Sequence, residues 1–234
     1  MPRDGARWSA IERELRNRRG LLLAGVDEVG RGPLAGPVVA CAVIMPSNVR
    51  AIRGVDDSKQ LSADQRERLA IRIHGRALAL AIGAASVREI DRLNILQATV
   101  LAMRRAIMRL GLSPDHVVID GNPMRTLGIE HTAIVGGDGS CYSIACASIV
   151  AKVTRDRLMR ALAVRHPHYR WETNKGYATA EHQAGLAVHG PTPHHRRSFA
   201  PVSQLTLALT YAPLADAPAL EAALRDFLDQ EPIS

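Results

Sequence analysis

The 234-residue chain carries 30 Lys and Arg against 23 Asp and Glu, a formal charge of +7, and is 47% hydrophobic but only 3% aromatic. That length suits one sizeable domain with an aliphatic core, and the shortage of aromatic residues excludes a base-stacking platform of the single-strand-binding kind. The basic balance favours a polyanionic partner, of which nucleic acid is the commonest.

In chain order, residues 1–19 read as a charged amphipathic helix, an N-terminal extension. Residues 21–27 are a short apolar run suited to a buried strand. A Gly/Pro loop from Gly30 to Pro37 follows, then a second apolar, β-branched run over 38–45 closed by Pro46. Residues 47–61 are polar and read as a loop, and Ser62 is placed to N-cap a helix over 63–75. Residues 77–87 alternate weakly, as a third strand would. The spacing of Ile90, Leu93, Leu101 and Ile107 predicts one helix over 89–110, with Gly111 as its stop. Compact β runs follow at 116–119 and 132–135, then a helix over 143–164 that ends before Pro167. Further helices are expected over 178–189, 203–210 and 217–229. Strands first, then mixed elements, then helices indicate an α/β core with a helical C-terminal part.

Cys41, Cys141 and Cys146 fit neither a disulfide framework nor paired zinc ligands, and read as buried free thiols. The sequence shows no signal peptide and no apolar run long enough to span a membrane, so the cytoplasm is the expected location.

The chemistry starts at Asp27-Glu28, where two carboxylates end an apolar strand and a glycine loop follows at once. Buried strand-end acids need a partner, and a hard divalent cation with oxygen ligands would be one; two ordinary solvated acids are the other reading. Gly30-Arg31-Gly32-Pro33-Leu34-Ala35 matches the dinucleotide fingerprint, but that fingerprint needs a helix next, and a strand-like run follows here. Asp120 ends a second β run before Gly121; it is either a site acid at a strand end or a turn residue. Ser148, Lys152 and Asp156 fall at i, i+4 and i+8 on one helix face. Lys152 and Asp156 alone could be a surface pair, yet the apolar, small residues around them argue for a buried helix whose polar stripe needs partners.

Taken together, these segments resemble the ribonuclease HII family, the type 2 ribonucleases H. The resemblance is carried by Gly25-Val26-Asp27-Glu28-Val29-Gly30-Arg31-Gly32-Pro33-Leu34-Ala35-Gly36-Pro37, then Asp57-Ser58-Lys59, Leu93-Asn94-Ile95-Leu96, Ile119-Asp120-Gly121-Asn122, the stretch from Ala147 to Asp156, Lys175-Gly176-Tyr177 and His194-His195-Arg196-Arg197-Ser198-Phe199. It implies an α/β, RNase H-like fold: a central mixed five-stranded sheet flanked by helices, with a helical C-terminal region. It implies a catalytic domain over 20–202 and a helical tail over 203–234. Asp27, Glu28, Asp120 and Asp156 match the family's metal-holding carboxylates, for Mn2+ or Mg2+. Gly30, Arg31 and Gly32 match the loop that recognises a ribonucleotide, and Tyr177 matches the residue that senses where RNA gives way to DNA.

The implied activity is endonucleolytic hydrolysis of the RNA strand of RNA–DNA hybrids, and incision 5′ of ribonucleotides embedded in duplex DNA. In-line phosphodiester hydrolysis is served by two divalent ions about 4 Å apart, one activating water and one stabilising the leaving oxygen; the products would carry 5′-phosphate and 3′-hydroxyl ends. Lys59 and Lys152 read as site lysines or as charge-balancing partners, and Ser148 as a packing or hydrogen-bonding residue. His194, His195, Arg196 and Arg197 read as a duplex-phosphate surface. Six of the nine histidines lie between 166 and 195, but their spacing matches no standard zinc set. Gly136 and Gln60 stand where many family members carry Lys. The expected partner is nucleic acid, with no membrane and no stable protein partner, in a monomer. A DNA-junction nuclease of the same fold would not need the Gly-Arg-Gly loop or Tyr177, and a non-catalytic hybrid binder would gain nothing from four acids beside phosphate.

Overall fold

Strands β1 (Leu23–Val29) and β2 (Val38–Ile44) pair antiparallel, from Ala24 opposite Ile44 to Val29 opposite Val39. β3 (Ala79–Ala85) adds antiparallel to β2, while β4 (His116–Asp120) runs parallel to β1 and β5 (His131–Ile134) parallel to β4. The result is a mixed five-stranded sheet in the order β3-β2-β1-β4-β5, as the resemblance implied. This is a computed structural model, and it describes residues 9–211. The chain divides into two compact units: the first holds residues up to 29, 38–85 and 96–155, the second 30–37, 86–95 and 156 onward.

In the first unit every residue of β2 is buried, because helices cover both faces of the sheet. The helices are α1 (Ser9–Arg19), α2 (Ala63–His74), α4 (Ile95–Met108), α5 (Gly137–Ser140) and the start of α6 (Tyr142–Arg165). Cys41 and Val43 of β2 pack with Ile73 of α2 and with Cys146, Ile149 and Val150 of α6. On that face α6 lies directly against β1: a Cβ added to Gly25 would sit 2.2 Å from the Ser143 carbonyl carbon. On the other face α4 presses on β3, where a Cβ on Gly83 would meet the Ala102 carbonyl oxygen at 2.0 Å. Only glycine permits these approaches. The start of α6 is closed by α1: Glu12, 7% exposed, accepts the Ser143 amide at 2.6 Å and the Cys141 thiol at 3.4 Å. A carboxylate there meets the free amides and positive end of the helix.

The second unit holds α3 (Val87–Leu93), the end of α6, α7 (Trp171–Asn174), α8 (Ala180–His189) and α9 (Ala200–Tyr211). Its core joins Leu34, Met159, Trp171, Leu186 and Val202.

Several boundaries differ from expectation for local reasons. The single helix expected over 89–110 is two helices, broken at Asn94, whose φ of +69° ends α3; Asn tolerates positive φ better than most residues. Helix α9 starts at Ala200, and the helix expected over 217–229 lies outside the described residues. The short helices α5 and α7 carry no apolar period and were not anticipated. The three cysteines are buried and free, as expected. Among the described residues no helix is long and apolar enough to cross a membrane.

Candidate active site

The parallel register sets Gly25 beside Val118. Two residues further on each strand stand Asp27 and Asp120, so both leave the sheet on the face that α6 covers. Asp27 is 6% exposed. Its carboxylate accepts the Glu28 amide at 2.8 Å and a hydrogen bond from Ser148. The Ser148 hydroxyl lies 2.9 Å from that of Ser58, which fixes its place under the acid. Burial, and then the charges of Glu28 and Asp120, raise the Asp27 carboxyl well above its ordinary range, against the lowering effect of Ser148 and the Glu28 amide.

For both acids of the Asp27-Glu28 pair to face one site, the strand would have to end or bulge at Glu28. It does neither. Pairing with β2 continues regularly through Glu28 opposite Ala40 to Val29 opposite Val39. Only the pairing with β4 stops, at Val26. Glu28 therefore leaves from the face opposite to Asp27, beside the stretch where β1 has outrun its parallel neighbour.

Asp120, at the end of β4, accepts the Gly137 amide at 2.7 Å. Burial raises its carboxyl, Asp138 adds to the rise, and the amides of Gly137, Asp138 and Gly121 oppose it. Asp138, 8% exposed, was not identified as a site residue from the sequence. The available signal was the strand-end rule applied once more, since Asp138 follows β5, the parallel neighbour of β4. Its carboxylate meets the Lys59 ammonium at 3.2 Å. Lys59 is otherwise exposed, and its pKa is raised: burial acts downward, but Asp138, Asp57 and Asp27 outweigh it. The first unit thus gathers Asp27, Asp120, Asp138, Ser148 and Lys59 at one end of the sheet. Lys152 is half-buried on α6. Asp156, one turn further along the helix, is 7% exposed and belongs to the second unit.

The second unit carries the glycine loop. Gly30, at φ +92°, makes the turn out of β1. Leu34 donates to the Gly176 carbonyl at 2.8 Å, Gly36 to the His194 carbonyl at 2.9 Å, and Arg196 to the Leu34 carbonyl at 2.8 Å. The Arg196 side chain, with no exposed surface, donates to the carbonyls of Arg31 at 2.7 Å, Gly36 at 2.9 Å and Gly30. This changes the reading of the 194–197 cluster as a phosphate surface: Arg196 and His195 are buried, and the guanidinium fork is spent on loop carbonyls. Arg197 remains exposed, its amide held by Asp91 at 3.1 Å, and His194 is half-buried. Arg31 and Gly32 are exposed at the loop tip. Tyr177, 44% exposed, stands over it, with its ring 3.7 Å from where a Cβ on Gly32 would be.

The donor set of the first unit suits a hard divalent cation: carboxylates with hydroxyl support and no thiolate or imidazole. Like charges around the buried Asp27 and the partly buried Asp120, countered by few donors, are the arrangement a cation relieves. Among the described residues no three His, Cys, Asp or Glu side chains close on one point.

A mixed sheet in this order, with acids on the ends of adjacent parallel strands, defines the ribonuclease H-like nucleases as the class. Solved structures agree. The ribonuclease H2 of Pyrococcus horikoshii matches with a TM-score of 0.65 at 24% identity, over 89% of this chain and 99% of that one. The RNase HII of Archaeoglobus fulgidus, solved with PCNA, matches with a TM-score of 0.62 at 25% identity, over 75% and 94%. The Bst-RNase HIII solved with Mn2+ shares the fold at 19% identity and a TM-score of 0.61, over 84% and 73%. The family model described as Ribonuclease HII matches residues 24–202. Among curated relatives, the Ribonuclease HII of Granulibacter bethesdensis is 53% identical over 86% of this chain and 94% of its own length. That of Thermosynechococcus vestitus is 58% identical over 76% and 83%. The chain belongs to the ribonuclease HII family and is a ribonuclease H, an enzyme acting on the RNA of RNA–DNA hybrids.

Proposed function

We propose that this enzyme, besides hydrolysing the RNA strand of hybrids, incises duplex DNA on the 5′ side of embedded ribonucleotides, single ones included. The observation that supports this reading most is the pairing of Tyr177 with Gly32 on a loop braced by Arg196. A general phosphodiesterase has no use for a bare glycine held under an aromatic ring. A 2′-hydroxyl is the group that separates RNA from DNA at a given backbone position, and a glycine tip lets backbone groups approach it.

In this reading Asp27, Asp120 and Asp156, with Glu28 reaching round the edge of β1 that is free of β4 beyond Val26, hold two divalent cations, Mn2+ or Mg2+. When bound, these ions would acidify the attacking water and neutralise charge on the phosphate and the departing 3′-oxygen, giving 5′-phosphate and 3′-hydroxyl ends. Ser148 orients Asp27. Lys59 and Lys152 offset the charge of the acids and of the scissile phosphate. Arg31 and Tyr177 contact the strand at the ribonucleotide, while His194 and Arg197 meet the duplex backbone, with Arg196 supporting the loop from within. Every assigned group comes from one chain, so a cytoplasmic monomer suffices, working in ribonucleotide removal from the genome and in primer removal.

The test is cleavage of a duplex carrying one ribonucleotide, beside an all-DNA duplex and an all-RNA/DNA hybrid, with Mg2+ or Mn2+. Incision 5′ of the ribonucleotide, abolished by Asp27→Asn or Asp120→Asn in folded protein, is the expected result. Cutting of the hybrid alone would refute the embedded-ribonucleotide reading. Tyr177→Phe should hurt the single-ribonucleotide substrate most; equal loss on both substrates would argue against junction sensing.

A further inference from the structure

Within the second unit, His182 and His195 are buried to 0% and 1% exposure, and Trp171 to 0%. None of the three reaches the surface, yet their polar atoms form one continuous chain. The Tyr177 carbonyl can only accept, so His182 must carry its proton on Nδ1 and donate it there, at 2.8 Å. Its Nε2 is then a lone pair, which accepts the Trp171 indole N–H at 3.0 Å. His195 Nδ1 accepts the Thr192 amide at 2.9 Å, so its proton sits on Nε2 and points at His182 Nε2, 3.0 Å away, whose one lone pair it shares with the Trp171 N–H. The network thus assigns both tautomers, and both rings must be neutral, since a second proton on either would set two N–H groups head to head.

The two ends of this chain matter. One end is Tyr177, whose carbonyl also takes the Thr179 amide at 2.9 Å, so that two donors fix the peptide plane after the tyrosine. The other end is the 194–196 segment, where His195 bridges Ala35 in the glycine loop. The same loop is tied to the tyrosine segment through Leu34 and Gly176. The imidazole pair therefore links the segment that carries the ring to the segment that carries the loop.

We propose that His182, through its hydrogen bonds to the Tyr177 carbonyl and to His195, is a positioning residue that sets the tyrosine ring over Gly32 and thereby the enzyme's selectivity for an embedded ribonucleotide. This rests on the reading of Tyr177 and the glycine loop given above. His182 touches no substrate; it acts through the backbone of Tyr177. Reacting groups displaced by about an ångström lose roughly a hundredfold in rate, so a loosened ring should be visible as altered selectivity.

Two substitutions divide the ring's functions. The His182→Asn amide can replace Nδ1 and keep the bond to Tyr177 while losing Nε2. The His182→Gln amide can reach the Nε2 position while losing the bond to Tyr177. Single-turnover cleavage of the one-ribonucleotide duplex and of the hybrid, with urea midpoints for each protein, gives the readout. The expectation is that His182→Gln lowers the ratio of single-ribonucleotide to hybrid cleavage by roughly ten- to a hundredfold, that His182→Asn stays nearer the wild-type ratio, and that His182→Gln adds nothing in a Tyr177→Phe background. An unchanged ratio in His182→Gln, or losses in both variants that follow only the urea midpoints, overturns the proposal. If His182→Gln does not fold, His195→Asn keeps the Tyr177 bond but severs the tie to the loop segment, and a wild-type ratio there overturns it equally. Failure of the underlying reading looks different: the wild-type enzyme itself would not cut the one-ribonucleotide duplex.

Discussion

The Gly137 amide donates to the Asp120 carboxylate at 2.7 Å, and the same glycine leaves no room for a side chain: a Cβ there would meet Ile144 Cδ1 at 2.6 Å and the Asp120 oxygen at 3.3 Å. The bond orients an acid whose carboxyl burial pushes upward. Gly137→Ala should therefore displace Asp120 while overpacking against α6, costing about 1–3 kcal/mol of stability and most of the activity. Adding Ile144→Val removes the methyl that the new Cβ strikes. The double variant should regain stability, as read by urea denaturation, and recover part of the rate. If Gly137→Ala cleaves normally, the orientation of Asp120 by this amide is unimportant.

Arg196 is the second test. Its buried fork spans the carbonyls of Gly30, Arg31 and Gly36, and lysine keeps the charge but cannot reach three acceptors at once. Arg196→Lys should cost roughly 2–4 kcal/mol, since hydrogen bonds from a charged donor are lost in a buried place. A loss of stability together with a shift toward hybrid over single-ribonucleotide cleavage is expected. Full stability with weakened, salt-dependent binding would instead return Arg196 to the role of a phosphate contact.

Legibility from sequence followed the local physics. Strands β1 and β2 declared themselves because both are apolar runs punctuated by Gly and Pro, and α2 because Ser62 stands at an N-cap position, to which the structure adds Gln65 as its reciprocal partner. The acids Asp27 and Asp120 were visible because each ends such a run. Asp138 was not, because it follows the weakest strand and lies within a short helix with no period. The break at Asn94 was hidden because apolar spacing continues across it, and a single positive φ carries no periodic signal. The burial of Arg196 and His195 was equally hidden: a run of basic residues looks solvated until the loop that receives it is placed. The face that Glu28 takes was hidden too, because one edge of β1 stays paired after the other is released.

Stability should depend on pH through the buried imidazoles. Burial, then the neighbouring His182, His166 and His194, push His195 down from 6.5 to about 3, and burial likewise lowers His182. The folded pKa lies below the unfolded one, so below about pH 6.5 the unfolded chain binds a proton the folded chain refuses. Stability is then lost as pH falls, by at most ~1.4 kcal/mol per pH unit for His195, down to about pH 3. The raised carboxyls of Asp27 and Asp120 act in the opposite sense, so the comparison must be between proteins. His195→Gln should flatten the fall in urea midpoint between neutral and mildly acidic pH; parallel slopes would show that His195 does not carry it.

Gly32 offers a test that separates fold from substrate. Its φ is not in the left-handed region, and a Cβ there would find only Tyr177 Cε1, at an ordinary contact distance of 3.7 Å. The chain itself therefore accepts alanine at this exposed tip, and Gly32→Ala should leave stability within about 0.5 kcal/mol of wild type, as for surface substitutions away from special features. A methyl group there would nevertheless stand between the loop backbone and any strand laid under the Tyr177 ring. Cleavage of the one-ribonucleotide duplex should fall by at least roughly tenfold, since displacement of the reacting groups is felt steeply. The hybrid should suffer as well, because each of its ribonucleotides presents the same 2′-hydroxyl. An unchanged urea midpoint with a lost rate places the demand for glycine on the nucleic acid; unchanged rates on both substrates would mean that no backbone approach occurs at Gly32.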